Sequence, residues 1–95
     1  MKTPTYRKEV SLIHTKFISC YIYYMNPGSA DEPHYHDGVE IEYVIRGNSR
    51  THKQGHLYFR KKGTVHEGIN DSQGELVFFN ITIPAESNQN THYLK

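Results

Sequence analysis

His34 and His36 are separated by a single residue. In an extended strand alternate side chains share a face, so both imidazoles point the same way. Asp37-Gly38 then offers a tight turn, and Glu40 opens the alternating run Glu-Ile-Glu-Tyr-Val-Ile, which reads as a second strand. Folded back beside the first, it brings Glu40 near both histidines. Two imidazoles and a carboxylate converging on one point suit a divalent transition metal. A further imidazole, His66, follows a turn at Gly63. These donor types do not separate Fe, Mn, Ni, Cu and Zn, so the expectation is one divalent ion of unspecified identity. Three nitrogens and one oxygen leave positions open on an octahedral ion for water, dioxygen or a chelating small molecule.

Glu42 lies two residues beyond Glu40. At ~3.3 Å rise per residue their Cα atoms are about 7 Å apart on one face of the strand. If Glu40 faces inward, so does Glu42, and a buried carboxylate must be paired or protonated. Glu42 is therefore the candidate catalytic residue. It acts either as a general base or as an ionised group that orients a ligand histidine. The competing reading is that the strand twists and Glu42 reaches water. Arg46 continues the same parity, and Arg60 lies on another strand; both read as solvated arginines at the rim. His14, His52, His56 and His92 sit among polar or strand-edge residues and are expected at the surface.

The elements that must hold these residues are short strands. Residues 1–10 are polar and read as a loose arm. Leu12 to Met25 is rich in Ile, Phe and Tyr, and Phe17 to Met25 within it alternates as a strand with apolar groups on both faces. Asn26-Pro27-Gly28 and Asn70 to Gly74 are turn clusters. Leu57 to Arg60 alternates, and Glu75 to Ile83 is the most apolar strand, closed by Pro84. Residues 85–95 form a polar tail expected to fray. No segment carries a helical period with caps, so the class is all-β in a single domain spanning residues 1–95.

The two histidine-bearing stretches resemble the signature motifs of the cupin superfamily. Gly28, His34, His36, Glu40 and Gly47 follow the spacing of the first motif, and Gly55, Gly63, His66 and Asn70 that of the second. Lys61 stands where the family has proline, and the connector Asn48 to Gln54 is shorter than the hairpin usual between the motifs. The resemblance implies a small single-domain cupin barrel of the jelly-roll type. It places the metal inside the barrel near an open end and makes His34, His36, Glu40 and His66 its ligands. It also implies a metal-dependent enzyme of the dioxygenase, decarboxylase, lyase or isomerase class acting on a small oxygenated molecule. A cupin that uses the same residues to hydrogen-bond a ligand without metal is the competing reading of the site. The run from His34 to Gly47 is also similar to the sensor domain of arabinose-responsive-type transcription regulators. On that alternative the chain is a non-catalytic small-molecule sensor whose DNA-binding domain lies outside it.

Composition narrows the setting. The chain has 95 residues and a formal net charge of +1, so nothing points to nucleic acid or an anionic membrane as partner. The lone Cys20 has no internal disulfide partner and the N-terminus lacks the apolar core of a signal peptide, which together suggest the cytoplasm. A domain this size buries roughly 60–70% of its unfolded surface. The row Val39, Ile41, Tyr43 and Ile45 opposite Glu40 and Glu42 would face outward and need covering, which predicts a homodimer or a second layer.

Overall fold

A computed structural model describes residues 5–87 and 89–94. They form strands β1 (Tyr6–His14), β2 (Ser19–Met25), β3 (Ala30–His36), β4 (Val39–Arg46), β5 (Leu57–Arg60), β6 (His66–Ile69), β7 (Leu76–Ile83) and β8 (Thr91–Tyr93). One sheet has the order β1-β2-β7-β4-β5 and the other β6-β3-β8, with every pairing antiparallel. There is no helix among the described residues, so none is long and apolar enough to cross a membrane.

The interior is graded from apolar to polar, and the strand register produces the gradient. On β4 the inward residues are Glu40, Glu42 and Val44; on β7 they are Leu76, Phe78, Asn80 and Thr82. The antiparallel register sets Glu40 opposite Thr82, Glu42 opposite Asn80 and Val44 opposite Phe78. On β2, Met25 lies opposite Leu76 and Ser19 opposite Thr82. One end of the barrel is thus an apolar plug of Met25, Val44, Leu76 and Phe78, with Tyr6, Tyr23 and Tyr58 packed against it. Burying each of these four side chains contributes roughly 1.5–3 kcal/mol. The other end is polar and holds together only if its groups find partners. Among the described residues no buried side-chain nitrogen or oxygen lacks a hydrogen bond.

Glycine is required at two joints. At Gly38, between β3 and β4, a Cβ would overlap the backbone carbonyl of Ile83. At Gly47, which ends β4, φ is +99° and a Cβ would lie 2.8 Å from the Glu75 carbonyl oxygen.

Three local expectations change. Residues 6–10 belong to β1 and pair with β2 from Tyr6 opposite Met25 onward, while residues 1–4 lie outside the described ones. Edge strand β1 shows mostly polar side chains to water, and that polarity disguised it as an arm. Within residues 85–95, Thr91–Tyr93 form β8, set against β3 with His36 opposite Thr91; residues 88 and 95 are not described. The strand expected from Phe17 to Met25 starts at Ser19, and Leu12 to His14 of the same apolar stretch belong to β1. Thr15 Oγ1 accepts from the amides of Phe17 and Ile18 and reverses the chain without glycine or proline, leaving Phe17 exposed at the tip.

Candidate metal centre

β3 and β6 run side by side with His34 directly opposite His66, and His36 follows on the same face of β3. One ring nitrogen from each of the three histidines lies within 4.8 Å of the others. Hydrogen bonds fix which nitrogen faces the group. His34 Nδ1–H donates to the Glu32 carbonyl at 2.6 Å, and His66 Nδ1–H donates to the Thr64 carbonyl at 3.2 Å. A carbonyl can only accept, so on each neutral ring Nε2 is left with a bare lone pair. His36 Nδ1 is tied to the Thr91 hydroxyl at 3.0 Å.

Glu40 reaches the same space from β4. Its Oε2 lies 3.3 Å from His36 Nε2 and its Oε1 3.2 Å from His66 Nε2. Where the facing imidazole nitrogen carries no proton, the pair is acceptor against acceptor, and a proton or a cation must lie between. Two ligands about 2.1 Å from one ion and at right angles stand about 3.0 Å apart, close to both distances. The donor chemistry and the spacing therefore fit a divalent ion. Burial pushes the Glu40 carboxyl up, but hydrogen bonds to His36 and His66 and the Arg60 charge outweigh it and hold the group well below the usual carboxylate range. Burial lowers His34; in His36 burial acts downward too, but the hydrogen bond and charge of Glu40 leave it raised.

This cluster opens on a cavity of about 60 Å³, enough for a few waters and far below the 300–1,000 Å³ of a drug-sized ligand pocket.

No family model matches the sequence, and no curated protein matches it. Solved structures do. A conserved protein with a double-stranded β-helix domain from Klebsiella pneumoniae aligns over 97% of this chain and 84% of its own, at 20% identity and a TM-score of 0.74. A cupin domain from Bordetella pertussis aligns over 87% of this chain and 97% of its own, at 22% identity and a TM-score of 0.66. The chain has the cupin fold. The polyketide cyclase RemF from Streptomyces resistomycificus shares it over 92% of this chain and 70% of its own, at 14% identity and a TM-score of 0.75.

Within this cupin barrel Glu42 does point inward, as its parity with Glu40 requires, and only 4% of it is exposed. Its Oε1 accepts from His52 Nε2 at 2.6 Å and from Arg60 at 3.2 Å, and its Oε2 accepts from Asn80 at 3.2 Å. Burial raises its carboxyl, yet the His52 hydrogen bond and the charges of His52 and Arg60 prevail and the group lies below its ordinary value.

Two residues assigned to the surface are therefore interior. His52, expected at the surface, is 2% exposed. The short connector delivers it: Ser49 N–H donates to the His52 carbonyl, His52 N–H donates to Ser49 Oγ, and Thr51 Oγ1 lies 2.7 Å from His52 Nδ1. Arg60 is not a rim residue; its side chain is 12% exposed and bridges Glu40 and Glu42. Arg46 does reach solvent, because a register shift between Val44 and Arg46 breaks the parity that would have turned it inward, and it pairs with Glu75. His14, His56 and His92 are exposed or partly so, in line with expectation.

Sequence reasoning also missed Glu86, Tyr6, Tyr23 and Asp31, which line the same cavity. Tyr23 OH donates to Glu86 Oε2 at 3.2 Å, and burial holds the Glu86 carboxyl above its ordinary value. Glu86 also borders two outer grooves, so it stands between the inner cavity and the outside. A carboxyl that holds its proton more tightly than usual is a candidate proton donor at the edge of the cavity. The inward parity of Tyr23 with Met25 was visible in the sequence; Glu86, beyond the end of β7, carried no signal.

Proposed function

We propose that this cupin holds one divalent transition metal ion through His34, His36, Glu40 and His66 and acts as a metal-dependent enzyme on a small oxygenated molecule in the cytoplasm. The observation that carries this reading is the cluster of ring nitrogens from His34, His36 and His66 within 4.8 Å of one another, with the Glu40 carboxylate against two of them. Bound there, the ion would polarise an oxygen of the substrate or take up dioxygen. The chain's own groups do the rest. Glu42 is held by His52, Arg60 and Asn80 and touches no ligand histidine; it reaches Glu40 only through the shared Arg60, and its lowered carboxyl fits an ionised supporting group better than proton shuttling. Tyr23 and Glu86 line the same cavity, whose small volume limits the size of a bound molecule. RemF, with the same fold, is an enzyme, which supports catalysis over pure binding. Elemental analysis of protein purified without a histidine tag should find close to one ion per chain. Protein that takes up none of Fe, Mn, Ni, Cu or Zn on dialysis would defeat the reading.

The outer face of the five-stranded sheet supports a homodimer. The register aligns Ile41 with Phe59 and Ile81, and Tyr43 with Leu57 and Phe79, as continuous apolar rows. Leu57 and Phe59 are 67% and 62% exposed, which is costly for a monomer. A second copy can stack the same face at about 10 Å sheet spacing, since a two-fold contact uses one patch twice. Phe59→Lys should weaken self-association by at least about 30-fold in analytical ultracentrifugation, the scale of one lost hot spot of about 2 kcal/mol. Wild-type protein that sediments as a monomer at high micromolar concentration would rule the dimer out.

A further inference from the structure

Arg60 enters the barrel from β5 at the position paired with Glu40. Its Nη1 lies 2.8 Å from Glu40 Oε1 and 3.2 Å from Glu42 Oε1. The guanidinium stays charged under all ordinary conditions and cannot give up its proton to relieve crowding. It is thus a permanent cation shared by two buried carboxylates of one strand face. Glu40 Oε1 is also the atom that faces His66 Nε2. One oxygen therefore serves the guanidinium on one side and the space enclosed by the histidines on the other.

We propose that Arg60 is a built-in competitor of the metal. It neutralises Glu40 and Glu42 while the site is empty, and it holds down the affinity of the site for a dication. This rests on the metal-binding reading above. Two effects set the sign. A dication entering beside Glu40 meets a fixed positive charge on the same oxygen, and the carboxylate it needs is already partly compensated. Removing the charge reverses both, leaving two buried carboxylates short of the positive charge a dication supplies. An arginine that merely held Glu40 in position would act the other way, because its loss would free the ligand and weaken binding.

The two roles separate in one measurement. Arg60→Met keeps much of the apolar stem and drops the charge; Arg60→Gln keeps a hydrogen-bond donor and drops the charge. Zn²⁺ and Mn²⁺ affinities are read by competition with a chromogenic chelator, and melting temperature is read with and without each ion. Both variants should bind at least about tenfold more tightly than wild type. Their metal-free melting temperature should fall, while the rise on adding metal should widen. If Arg60→Met does not fold without metal, Arg60→Gln still decides the sign. Unchanged or weaker binding by the variants, with wild type binding one ion, would overturn the role of Arg60 alone. Wild type that binds neither ion would overturn the metal reading and this proposal with it.

Discussion

Protein carrying His66→Ala should lose nearly all bound metal and keep its fold. His66 sits on the four-residue strand β6 with its side chain 14% exposed, at the mouth of the cluster rather than in the apolar plug. Its truncation widens an opening and leaves no closed void, so the stability cost stays near 1 kcal/mol. The cost to metal is larger. Groups that only orient a ligand already change affinity by about 10–100-fold when removed, and a direct ligand should exceed about 100-fold. Far-ultraviolet circular dichroism would confirm the sheet, and metal content after gel filtration would measure the loss. Near-stoichiometric metal in the variant would remove His66 from the ligand set. Binding by wild type should also weaken in acid, because ligand imidazoles must be neutral. The sign follows from His36: Glu40 holds it above its ordinary value, so protons compete for it from a higher pH than for a free imidazole. Affinity should be flat in mild alkali and begin to fall while the pH is still above about 6.5, the ordinary imidazole value. A flat profile across that range would show that histidines do not hold the ion.

That His34 and His36 share one face, and Glu40 and Glu42 another, was legible because it depends on parity within single strands. Period-two alternation carries that information locally. The all-β class was legible for the same reason. What stayed hidden depends on pairing across long separations. Arg60 becomes interior only because β5 aligns it with Glu40, and nothing near residue 60 states that alignment. His52 becomes interior because a compact connector folds inward, while its neighbours in sequence are polar. Arg46 shows the limit of parity itself: one shifted residue after Val44 is enough to move it into solvent. β1 and β8 are edge strands, where one face or more is wetted and the hydrophobic alternation that marks a strand is weak.

The second large effect should come from separating Glu42 and His52. Their 2.6 Å contact is buried on both sides, with side chains 6% and 3% exposed. His52→Leu keeps most of the volume and removes the shortest of the partners of Glu42. Arg60 and Asn80 remain, both at 3.2 Å, so the carboxylate is weakened in its support and not abandoned. The expected loss is about 2–4 kcal/mol by urea unfolding of the metal-free protein at neutral pH, the scale for taking a hydrogen-bond partner from a buried charged group. That is a large share of the roughly 5–15 kcal/mol that a domain has in total. Glu42→Leu should cost a comparable amount, because His52 then keeps a buried donor with no acceptor. The double variant removes donor and acceptor together, so it should cost at least about 1.5 kcal/mol less than the sum of the two. The pH profile gives an independent check. The folded carboxyl of Glu42 lies below its ordinary value of 4.5, so its contribution is fully present above that pH and is lost as the pH falls toward the folded value. Glu42→Leu should therefore flatten the acid limb of stability below about pH 4.5, where wild type declines more steeply. Additive costs in the cycle would mean that the two side chains are neighbours without coupling, and an unchanged acid limb would mean that Glu42 is not held ionised by this network.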